Sequence, residues 1–318
     1  MSVPEVVCVG RISVDLYAAE RGVGFDGPQS FTKSVGGSPT NVAVAAARLG
    51  RRAAIVTKVG ADGFGAFARA RLAEWGVITD HVGIDAQGQT PLAITALAPA
   101  EDPQVAFYRG ASAPDTTLRA GDLPDALVRD CGVLWISHSA LAQGSTAGAT
   151  LTWLGQRGRS SDTVLDLDYR SALWPDMATS RAMSAEAIRH CSVVVGNLDE
   201  CEMATGTRVP EAAADALLSA GVHLAVVKLG GGGVYLATAD ERWSIEPVAV
   251  HVVSGLGAGD AFGGALTHGL LSGWGPDVIG RFANAAGAVV ASRMGCAEAM
   301  PTLEELTAMT ATKEAAPC

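Results

Sequence analysis

The stretch Val193-Val194-Val195-Gly196-Asn197 is a short apolar run, and Leu198-Asp199-Glu200 after it opens a segment with helical spacing. An apolar run without polar alternation indicates a strand buried on both faces, as parallel strands are. The same succession of apolar run and Ala-rich helical segment recurs along the chain. It predicts an α/β fold with a doubly wound, mostly parallel sheet flanked by helices. Further strands are predicted at residues 6–9, 54–59, 133–137, 163–168 and 224–228, and helices at 40–49, 64–74, 184–190, 199–205 and 211–220.

Two regions depart from this succession of strands and helices. Residues 22–35 and 90–109 alternate apolar and polar side chains around turn residues and contain no helical segment. We therefore expect a small β-sheet lid within a single domain that spans residues 1–318. Glycine and alanine crowd residues 258–271 and 278–292, which predicts two closely packed, buried helices near the end of the chain.

The composition is that of a globular protein without nucleic-acid affinity. Hydrophobic residues make up 48% of the 318 positions, charged residues make up 18%, and the formal net charge is -10. Nucleic-acid binding depends on many Lys and Arg contacts with phosphates, so an acidic chain is a poor candidate. No run of about 18 apolar residues occurs, and residues 1–10 are too short and too acidic for a signal peptide. We expect a cytoplasmic protein with no membrane partner, in which the six scattered cysteines are reduced.

The strongest chemical signal is Gly257-Ala258-Gly259-Asp260-Ala261-Phe262, at the start of a predicted helix. Small residues at a helix N-terminus let backbone N–H groups approach an anion, and the helix dipole favours negative charge there. The Asp260 carboxylate could accept a proton from a hydroxyl group that attacks a phosphate. The alternative is that Asp260 only caps the helix.

Two further motifs are suited to binding hydroxyl groups. Gly36-Gly37-Ser38-Pro39-Thr40-Asn41 exposes backbone N–H groups at a Gly-Gly turn, and the Asn41 amide can donate and accept. Asp15 follows the first strand, at the end of the sheet where open α/β proteins bind ligands. The alternatives are a simple turn with Thr40 as the helix cap, and a solvated acid in a loop.

Two motifs point to a nucleotide and a metal ion. Asn197 and Glu200 lie at a strand–helix junction, where carboxylate and amide groups could hold Mg²⁺ through water, although Asp199 and Glu200 could equally complement the helix dipole. Lys228-Leu229-Gly230-Gly231-Gly232-Gly233 would let a nucleotide lie against the backbone, or form a plain β-turn. The chain lacks G-x-x-x-x-G-K-[ST], and its first strand is not followed by G-x-G-x-x-G, which argues against Walker-type and NAD-binding proteins.

The order of these motifs along the chain resembles the ribokinase-like (PfkB) sugar kinase family over nearly the whole length. The resemblance implies ATP as the phosphoryl donor, Asp260 as the base and an anion hole at Gly257, Ala258 and Gly259. It implies binding of the sugar by Asp15, Gly36, Gly37 and Asn41. It also assigns the Mg²⁺ water network to Asn197 and Glu200, and the nucleotide to Lys228, Gly230, Gly232 and Asn284.

Several stretches look most like the branch of that family that phosphorylates 5-dehydro-2-deoxygluconate in inositol catabolism. Because this substrate is an acid, a guanidinium group is expected to bind its carboxylate. We assign Arg109 to the carboxylate and Arg170 to the substrate or the phosphates, with Phe107 on the same strand face as Arg109. The alternative is that both arginines are ordinary surface residues. The stretches are Gly10 to Tyr17, Phe107-Tyr108-Arg109, Asp166-Leu167-Asp168-Tyr169-Arg170 and Gly295 to Thr302.

Other substrates and one other function stay open. The acceptor could be 2-keto-3-deoxygluconate, or fructose, ribose or a nucleoside, but a neutral acceptor would leave Arg109 and Arg170 without a carboxylate to pair with. A sugar sensor that has lost its chemistry is the non-enzyme alternative. Ser254-Gly255-Leu256 replaces the Asp-Thr-Thr found in many relatives, which puts activation by a monovalent cation in doubt. Exposed lid strands invite pairing, so we expect a homodimer built on the lid.

Overall fold

A nine-stranded sheet carries the fold in residues 3–97 and 104–314, the parts of the chain that this computed structural model describes. Its strand order is β13-β12-β11-β10-β9-β8-β1-β4-β5, and a second sheet has the order β3-β2-β6-β7. The strands are β1 (Val6–Val9), β2 (Ser13–Arg21), β3 (Phe31–Gly36), β4 (Ala53–Gly60), β5 (Val82–Asp85), β6 (Leu92–Leu97), β7 (Gln104–Tyr108), β8 (Val133–Ser137), β9 (Asp162–Asp166), β10 (Val193–Asn197), β11 (Leu224–Lys228), β12 (Val234–Ala237) and β13 (Arg242–Ile245).

The large sheet is parallel from β5 to β11, and its last two strands are antiparallel. The chain winds from β1 to β4 on one side and later continues from β8 on the other side of β1. The winding therefore changes direction at β1, and doubly wound sheets bind their ligands at the carboxyl ends of the strands at such a point. The predicted doubly wound, mostly parallel sheet is confirmed.

Helices cover both faces of this sheet, because its strands are apolar on both sides. In β1, Val6 and Cys8 pack on one face and Val7 and Val9 on the other, and all four are fully buried. The first face packs against α1, α2, α8, α9 and α10, and the second against α3 to α7. The helices are α1 (Ser38–Arg48), α2 (Gly63–Glu74), α3 (Asp125–Asp130), α4 (Gly144–Arg157), α5 (Met177–Ile188), α6 (Leu198–Thr205), α7 (Pro210–Ser219), α8 (Ala258–Leu271), α9 (Pro276–Ala291) and α10 (Leu303–Glu314).

The predicted close packing around α8 is present. A Cβ atom on Gly263 would lie 2.7 Å from the Trp135 ring, and one on Gly269 would lie 2.7 Å from Ile279 of α9. Since real Cβ contacts are longer than this, larger residues would force the helices apart. Glycine therefore fixes how deeply α8, which carries Asp260, sits between its neighbours.

The small sheet begins earlier in the chain than the alternation pattern suggested. Residues 22–35 contain only β3 and part of a loop, whereas the preceding strand β2 forms the centre of this sheet and pairs with β3 and β6. The pattern missed β2 because Ala18 and Ala19 interrupt its polar alternation. Residues 98–103 of the predicted range 90–109 lie outside the described residues.

Other boundaries differ by small amounts. β9 ends at Asp166 instead of residue 168, and α5 begins at Met177 instead of residue 184. The described cysteines, from Cys8 to Cys296, are free and buried, while Cys318 lies outside the described residues. Within the described ranges, no helix combines the length and apolarity needed to cross a membrane.

Candidate active site

The candidate residues converge on one edge of the large sheet, where the parallel strands end. β9 ends at Asp166, β10 at Asn197 and β11 at Lys228. Gly10 and Arg11 directly follow β1 at the point where the winding direction changes. Parallel strands present their carboxyl ends on the same edge, which is why residues far apart in sequence meet here.

Asp260 lies in the first turn of α8, after Gly257, whose left-handed backbone (φ 81°) forms the N-cap. The Asn41 side-chain nitrogen donates a hydrogen bond to Asp260 Oδ2 at 2.8 Å. Burial raises the pKa of Asp260 above its usual value, although the bond from Asn41 opposes this rise. The first N–H groups of the helix, including those of Ala258 and Gly259, have no helical acceptor. An anion-binding helix start and a basic carboxylate therefore lie side by side.

Lys228 adds a positive charge at this place, and its side chain is 17% exposed. Its Nζ atom lies 3.7 Å from Asp166 Oδ1 and 3.8 Å from Glu200 Oε2, and a Cβ atom on Gly259 would meet it at 3.4 Å. Burial acts to lower the pKa of Lys228, because it disfavours the charged ammonium group. The nearby carboxylates of Asp166 and Glu200 outweigh this effect, so the pKa of Lys228 is raised. Burial raises the pKa of Asp166 to about 7, while Lys228 acts to lower it.

Asn197 and Glu200 form a reciprocal capping box at the start of α6. Asn197 Oδ1 accepts from the Glu200 N–H at 2.9 Å, and Glu200 Oε2 accepts from the Asn197 N–H at 2.7 Å. Glu200 is buried, whereas Asp199 is exposed and pairs with Arg208. The position of Glu200 agrees with the alternative of an acid at the helix start, and its Oε1 atom takes no part in the box. A role of Asn197 and Glu200 in holding Mg²⁺ stays a prediction.

Asp15 lies inside β2, and not in a loop as the sequence suggested. Its carboxylate accepts hydrogen bonds from the Ser13 hydroxyl at 2.7 Å and the Tyr17 hydroxyl at 3.4 Å. Burial raises the pKa of Asp15, while the bond from Ser13 lowers it. A Cβ atom on Gly36 of the paired strand β3 would overlap this carboxylate, so glycine is required there.

Gly37 and Asn41 connect this strand to the helix that carries Asp260. Gly37 has φ 100°, and a Cβ atom there would overlap the backbone carbonyl of Arg11. The turn places Asn41 in α1, where its amide reaches Asp260. The Gly-Gly turn is thus a close approach of two backbone segments, which only glycine permits.

Arg109 and Arg170, predicted to meet substrate anions, each pair with a buried aspartate of the protein. Arg109 Nη1 lies 2.6 Å from Asp115 Oδ2, and Arg170 Nη2 lies 3.0 Å from Asp168 Oδ1. The expectation that a neutral acceptor would leave these arginines without a carboxylate is therefore wrong. Because each arginine already pairs with an aspartate of the protein, the presence of these two arginines alone does not show that the substrate is an anion.

The strand register that placed Phe107 and Arg109 on one face does not extend to Arg109. β7 ends at Tyr108, so the alternation stops before Arg109. The Arg109 side chain is 12% exposed, whereas Phe107 is 58% exposed. The two side chains occupy different environments, and Phe107 gives no information on where Arg109 points.

The predicted nucleotide residues form a more open region. Gly230 and Gly232 lie in an exposed turn directly after β11, and a Cβ atom on Gly230 would meet nothing within 4 Å. Asn284 of α9 donates to the backbone carbonyl of Glu246 at 3.1 Å and so holds the segment that follows β13. The turn begins two residues after Lys228 and therefore adjoins the charged side chains of Lys228, Asp166 and Glu200.

Arg11, Asp166 and Asp168 also lie at this sheet edge, although no sequence motif predicted them as site residues. Arg11 Nη2 donates to both oxygens of Asp168, at 3.1 and 3.3 Å, and the Ser137 hydroxyl donates to Asp168 at 2.9 Å. Burial would raise the pKa of Asp168, but Arg11 and Arg170 outweigh it and lower that pKa. The available signal was an acid at the end of a buried strand, because such an acid faces the ligand edge.

A cavity of about 650 Å³ lies elsewhere, lined in part by Lys33, Asp62, Phe64 and Thr90. It includes none of the predicted site residues. The Asp62 carboxylate there accepts from the backbone of Gly65 at 2.8 Å and of Thr90 at 2.8 Å, so it holds the start of α2 in place.

Comparison with known proteins shows which family the chain is similar to. A family model described as pfkB family carbohydrate kinase matches residues 3–303. A curated protein of Shouchella clausii named 5-dehydro-2-deoxygluconokinase is 32% identical over 310 residues, which cover 96% of this chain and 95% of that protein.

Solved structures are similar over the whole fold. A fructokinase with bound ATP from Xylella fastidiosa has a TM-score of 0.88 and 25% identity, covering 98% of this chain and 100% of that one. A candidate ribokinase II of E. coli in complex with ATP and Mg²⁺ gives the same TM-score, identity and coverage. The predicted ribokinase-like fold class and the family resemblance are confirmed.

Proposed function

The chain belongs to the pfkB family of carbohydrate kinases and is an ATP-dependent sugar kinase, and we propose that it phosphorylates the terminal hydroxyl group of a small sugar acid. The substrate in this proposal is 5-dehydro-2-deoxy-D-gluconate, and the product is its 6-phosphate, a step of inositol catabolism. The curated relatives that carry the name of this activity support the choice at 31–32% identity.

The observation that carries the proposal is the contact between Asn41 and Asp260 at the start of α8. Asp260 takes the proton of the terminal hydroxyl group, whose oxygen bonds to the γ-phosphorus as the bond to ADP breaks. The N–H groups of the turn at Gly257, Ala258 and Gly259 stabilise the charge on the transferred group. Lys228, next to Gly259, adds a fixed positive charge.

ATP and Mg²⁺ are the expected donor and ion, because a structural neighbour is described in complex with both. In this proposal Lys228, Gly230, Gly232, Asn197 and Asn284 surround the nucleotide. The donor set fits Mg²⁺, because the Asp166 Oδ1 atom is buried without a hydrogen-bond partner among the described residues. Glu200 would hold the ion through water, and the ion would neutralise phosphate charge.

The sugar would bind between the small sheet and α1. Asp15 and Asn41 offer acceptors for its hydroxyl groups, and the Asn41 Oδ1 atom is buried without a partner among the described residues. In this proposal Gly36 and Gly37 line the sugar site through their backbone; both are buried, and their missing side chains leave room for Asp15 and Arg11. We assign Arg109 to the carboxylate of the acid, and Arg170 to the substrate or the phosphates. Phe107 is 58% exposed on β7, and in this proposal it contacts the sugar.

A neutral sugar is the second candidate. The internal ion pairs of Arg109 and Arg170 mean that a neutral acceptor leaves neither charge without a partner. A fructokinase is also among the similar structures. An acceptor such as fructose or ribose therefore competes with 5-dehydro-2-deoxygluconate and 2-keto-3-deoxygluconate in this proposal.

An ADP-release assay across these acceptors tests the proposal. We expect kcat/KM to be highest for 5-dehydro-2-deoxygluconate, with 2-keto-3-deoxygluconate next and the neutral sugars lower. The Asp260→Asn variant, measured in parallel, provides the background for contaminating kinases. A neutral sugar with the highest kcat/KM would reject the acid substrate while leaving the kinase intact, and no turnover of any acceptor would favour a sugar sensor.

The small sheet is the proposed dimer interface of a cytoplasmic enzyme. Its outer strands and the loop after β2 expose four aromatic side chains, which are Phe25, Phe31, Phe107 and Tyr108. Pairing two copies through such a sheet would bury them. A monomer by light scattering at micromolar concentration would reject the interface.

Potassium titration of the activity tests whether the enzyme, which carries Ser254-Gly255-Leu256 before its glycine-rich helix start, responds to a monovalent cation.

A further inference from the structure

Arg11 has no role in the proposed reaction, yet it connects the groups at the sugar end of the site. Its guanidinium group pairs with Asp168, which also pairs with Arg170. The next residue, Ile12, donates its backbone N–H to Asp115 Oδ2 at 3.1 Å, and the same oxygen accepts a hydrogen bond from Arg109 Nη1. Arg11 and Arg170 thus pair with Asp168, and Arg109 pairs with Asp115. Arg11 and Ile12, which contact these two aspartates, lie directly before β2.

Two arginine donors of this cluster lack acceptors. The Nε atoms of Arg11 and Arg109 are both buried without a hydrogen-bond partner among the described residues, and so is the Asp115 Oδ1 atom. Buried polar groups are nearly always paired, and an unpaired one costs about 1–3 kcal/mol. The two Nε–H groups could therefore donate to an acceptor on a bound ligand, and Asp115 Oδ1 could accept from a hydroxyl group of that ligand.

Arg11 is close to the groups assigned to the sugar and to proton transfer. Its charge acts to lower the pKa of both Asp15 and Asp260. Its backbone carbonyl accepts from the Thr40 hydroxyl at 3.1 Å, which ties it to the turn that carries Asn41. Asp15 makes no ion pair with Arg11 among the described residues, so Asp168 is the acid that holds this guanidinium group.

We infer that Arg11, together with Arg109, binds the carboxylate of a polyhydroxy acid substrate. The inference rests on the proposed function and adds the residue that sets its selectivity for acids. Arginine suits this role because its planar donors match a carboxylate. Asp168 and Asp115 are positioning residues that hold the two guanidinium groups, and Asp115 Oδ1 accepts from a hydroxyl group of the same substrate.

The test compares Arg11→Met and Arg11→Lys with the wild-type protein. Arg11→Met should fold, because Asp168 keeps Arg170 at 3.0 Å and the Ser137 hydroxyl at 2.9 Å. KM and kcat are measured for the acid substrate, for its neutral primary alcohol of equal length, and for ATP. The exposed Arg129, paired with Asp125 on α3, provides the control variant Arg129→Met, which should leave every constant unchanged.

We expect Arg11→Met to raise KM for the acid about 10- to 100-fold, as the loss of a charged hydrogen bond does. KM for the neutral alcohol and for ATP should change less than about 3-fold. Arg11→Lys keeps the charge and loses the planar fork, so we expect an intermediate rise for the acid alone.

Equal losses for the acid and the alcohol would assign Arg11 to structure, and a raised KM for ATP would assign it to phosphate; either result overturns the inference. If Arg11→Met does not fold, Arg11→Lys decides, and a wild-type ratio of acid to alcohol KM in that variant also overturns it. The wild-type ratio reports separately on the proposed function, which fails if the wild-type protein does not prefer the acid.

Discussion

Asp166 and Asp168 are two residues apart, and each is 3% exposed, yet their pKa values move in opposite directions. Burial raises the pKa of Asp166 to about 7 despite Lys228. Burial acts on Asp168 too, but Arg11 and Arg170 overcome it and lower that pKa. Both carboxyl groups are buried to the same extent, so their neighbouring charges, and not their depth, account for the opposite directions of the two pKa shifts.

The two aspartates belong to opposite ends of one charged cluster. At the phosphoryl end, defined as Asp166, Glu200, Asp260 and Lys228, three acids surround one cation. At the acid end, defined as Arg11, Arg109, Arg170, Asp115 and Asp168, three arginines share two carboxylates. The first end is suited to receive a metal ion with a phosphate, and the second to receive an anionic substrate.

The largest expected effect is at the phosphoryl end. Asp260→Asn should reduce turnover about 10²- to 10⁴-fold, because it removes the proton acceptor, with little change in fold or ATP affinity. Asn41 would still have an oxygen to contact. Turnover and ATP affinity are measured separately, by ADP release and by equilibrium binding. Turnover near the wild-type value would reject Asp260 as the base.

Lys228→Met should remove the only cation that pairs with Asp166 among the described residues. Breaking a buried pair costs about 3–5 kcal/mol of unfolding free energy, and protonation of the remaining acid limits the cost. Without Lys228, the folded-state pKa of Asp166 lies still further above its unfolded value of about 4. Stability should therefore decrease as pH rises from about 4 through the raised folded pKa.

Chemical denaturation of Lys228→Met at several pH values measures this effect. The double variant Lys228→Met/Asp166→Asn is the matched control, because it has no charge left to bury at position 166. It should recover much of the lost stability and lose part of the pH dependence. A pH-independent loss in Lys228→Met would show that the lysine stem, and not its charge, holds the cluster together.

Arg109→Met tests the acid end. It should raise KM for the acid by about 10- to 100-fold, equivalent to about 1.5–3 kcal/mol, with little change for a neutral analogue of equal length. It also leaves Asp115 without its arginine, so stability should fall as well. Arg109→Met/Asp115→Asn should restore stability without restoring the preference for acids. Equal loss for both analogues would reject the carboxylate assignment.

The smallest effect is expected for Glu200→Gln. Glutamine can keep the capping box, because its side-chain oxygen still accepts from the Asn197 N–H. Removal of the charge should raise the Mg²⁺ concentration needed for half-maximal activity by severalfold, and sugar KM should change less. A magnesium titration at fixed ATP measures this shift. An unchanged titration would leave Glu200 with its helix-cap role alone.

The sequence by itself determined the parallel sheet and the start of α8. Apolar runs at β1, β8, β10 and β11 were assigned their observed bounds, because a strand buried on both faces has a pattern that local composition reveals. The Gly-Ala-Gly-Asp stretch also located its helix start, since the requirement for small residues there is local. β2 was missed, because Ala18 and Ala19 interrupt the alternation along its sequence, and its place between β3 and β6 is set by pairing with distant segments.

Only the tertiary structure decided which charges meet. Arg109 was expected to have no carboxylate partner in the protein, but it pairs with Asp115. Arg11 and Asp168 also form a pair, although they are 157 residues apart in the chain. Sequence spacing carries no information on such pairs, since they form where strand ends and loops converge at one sheet edge. The energy of a buried charge depends on its neighbours within a few ångströms, and those neighbours are fixed by the fold.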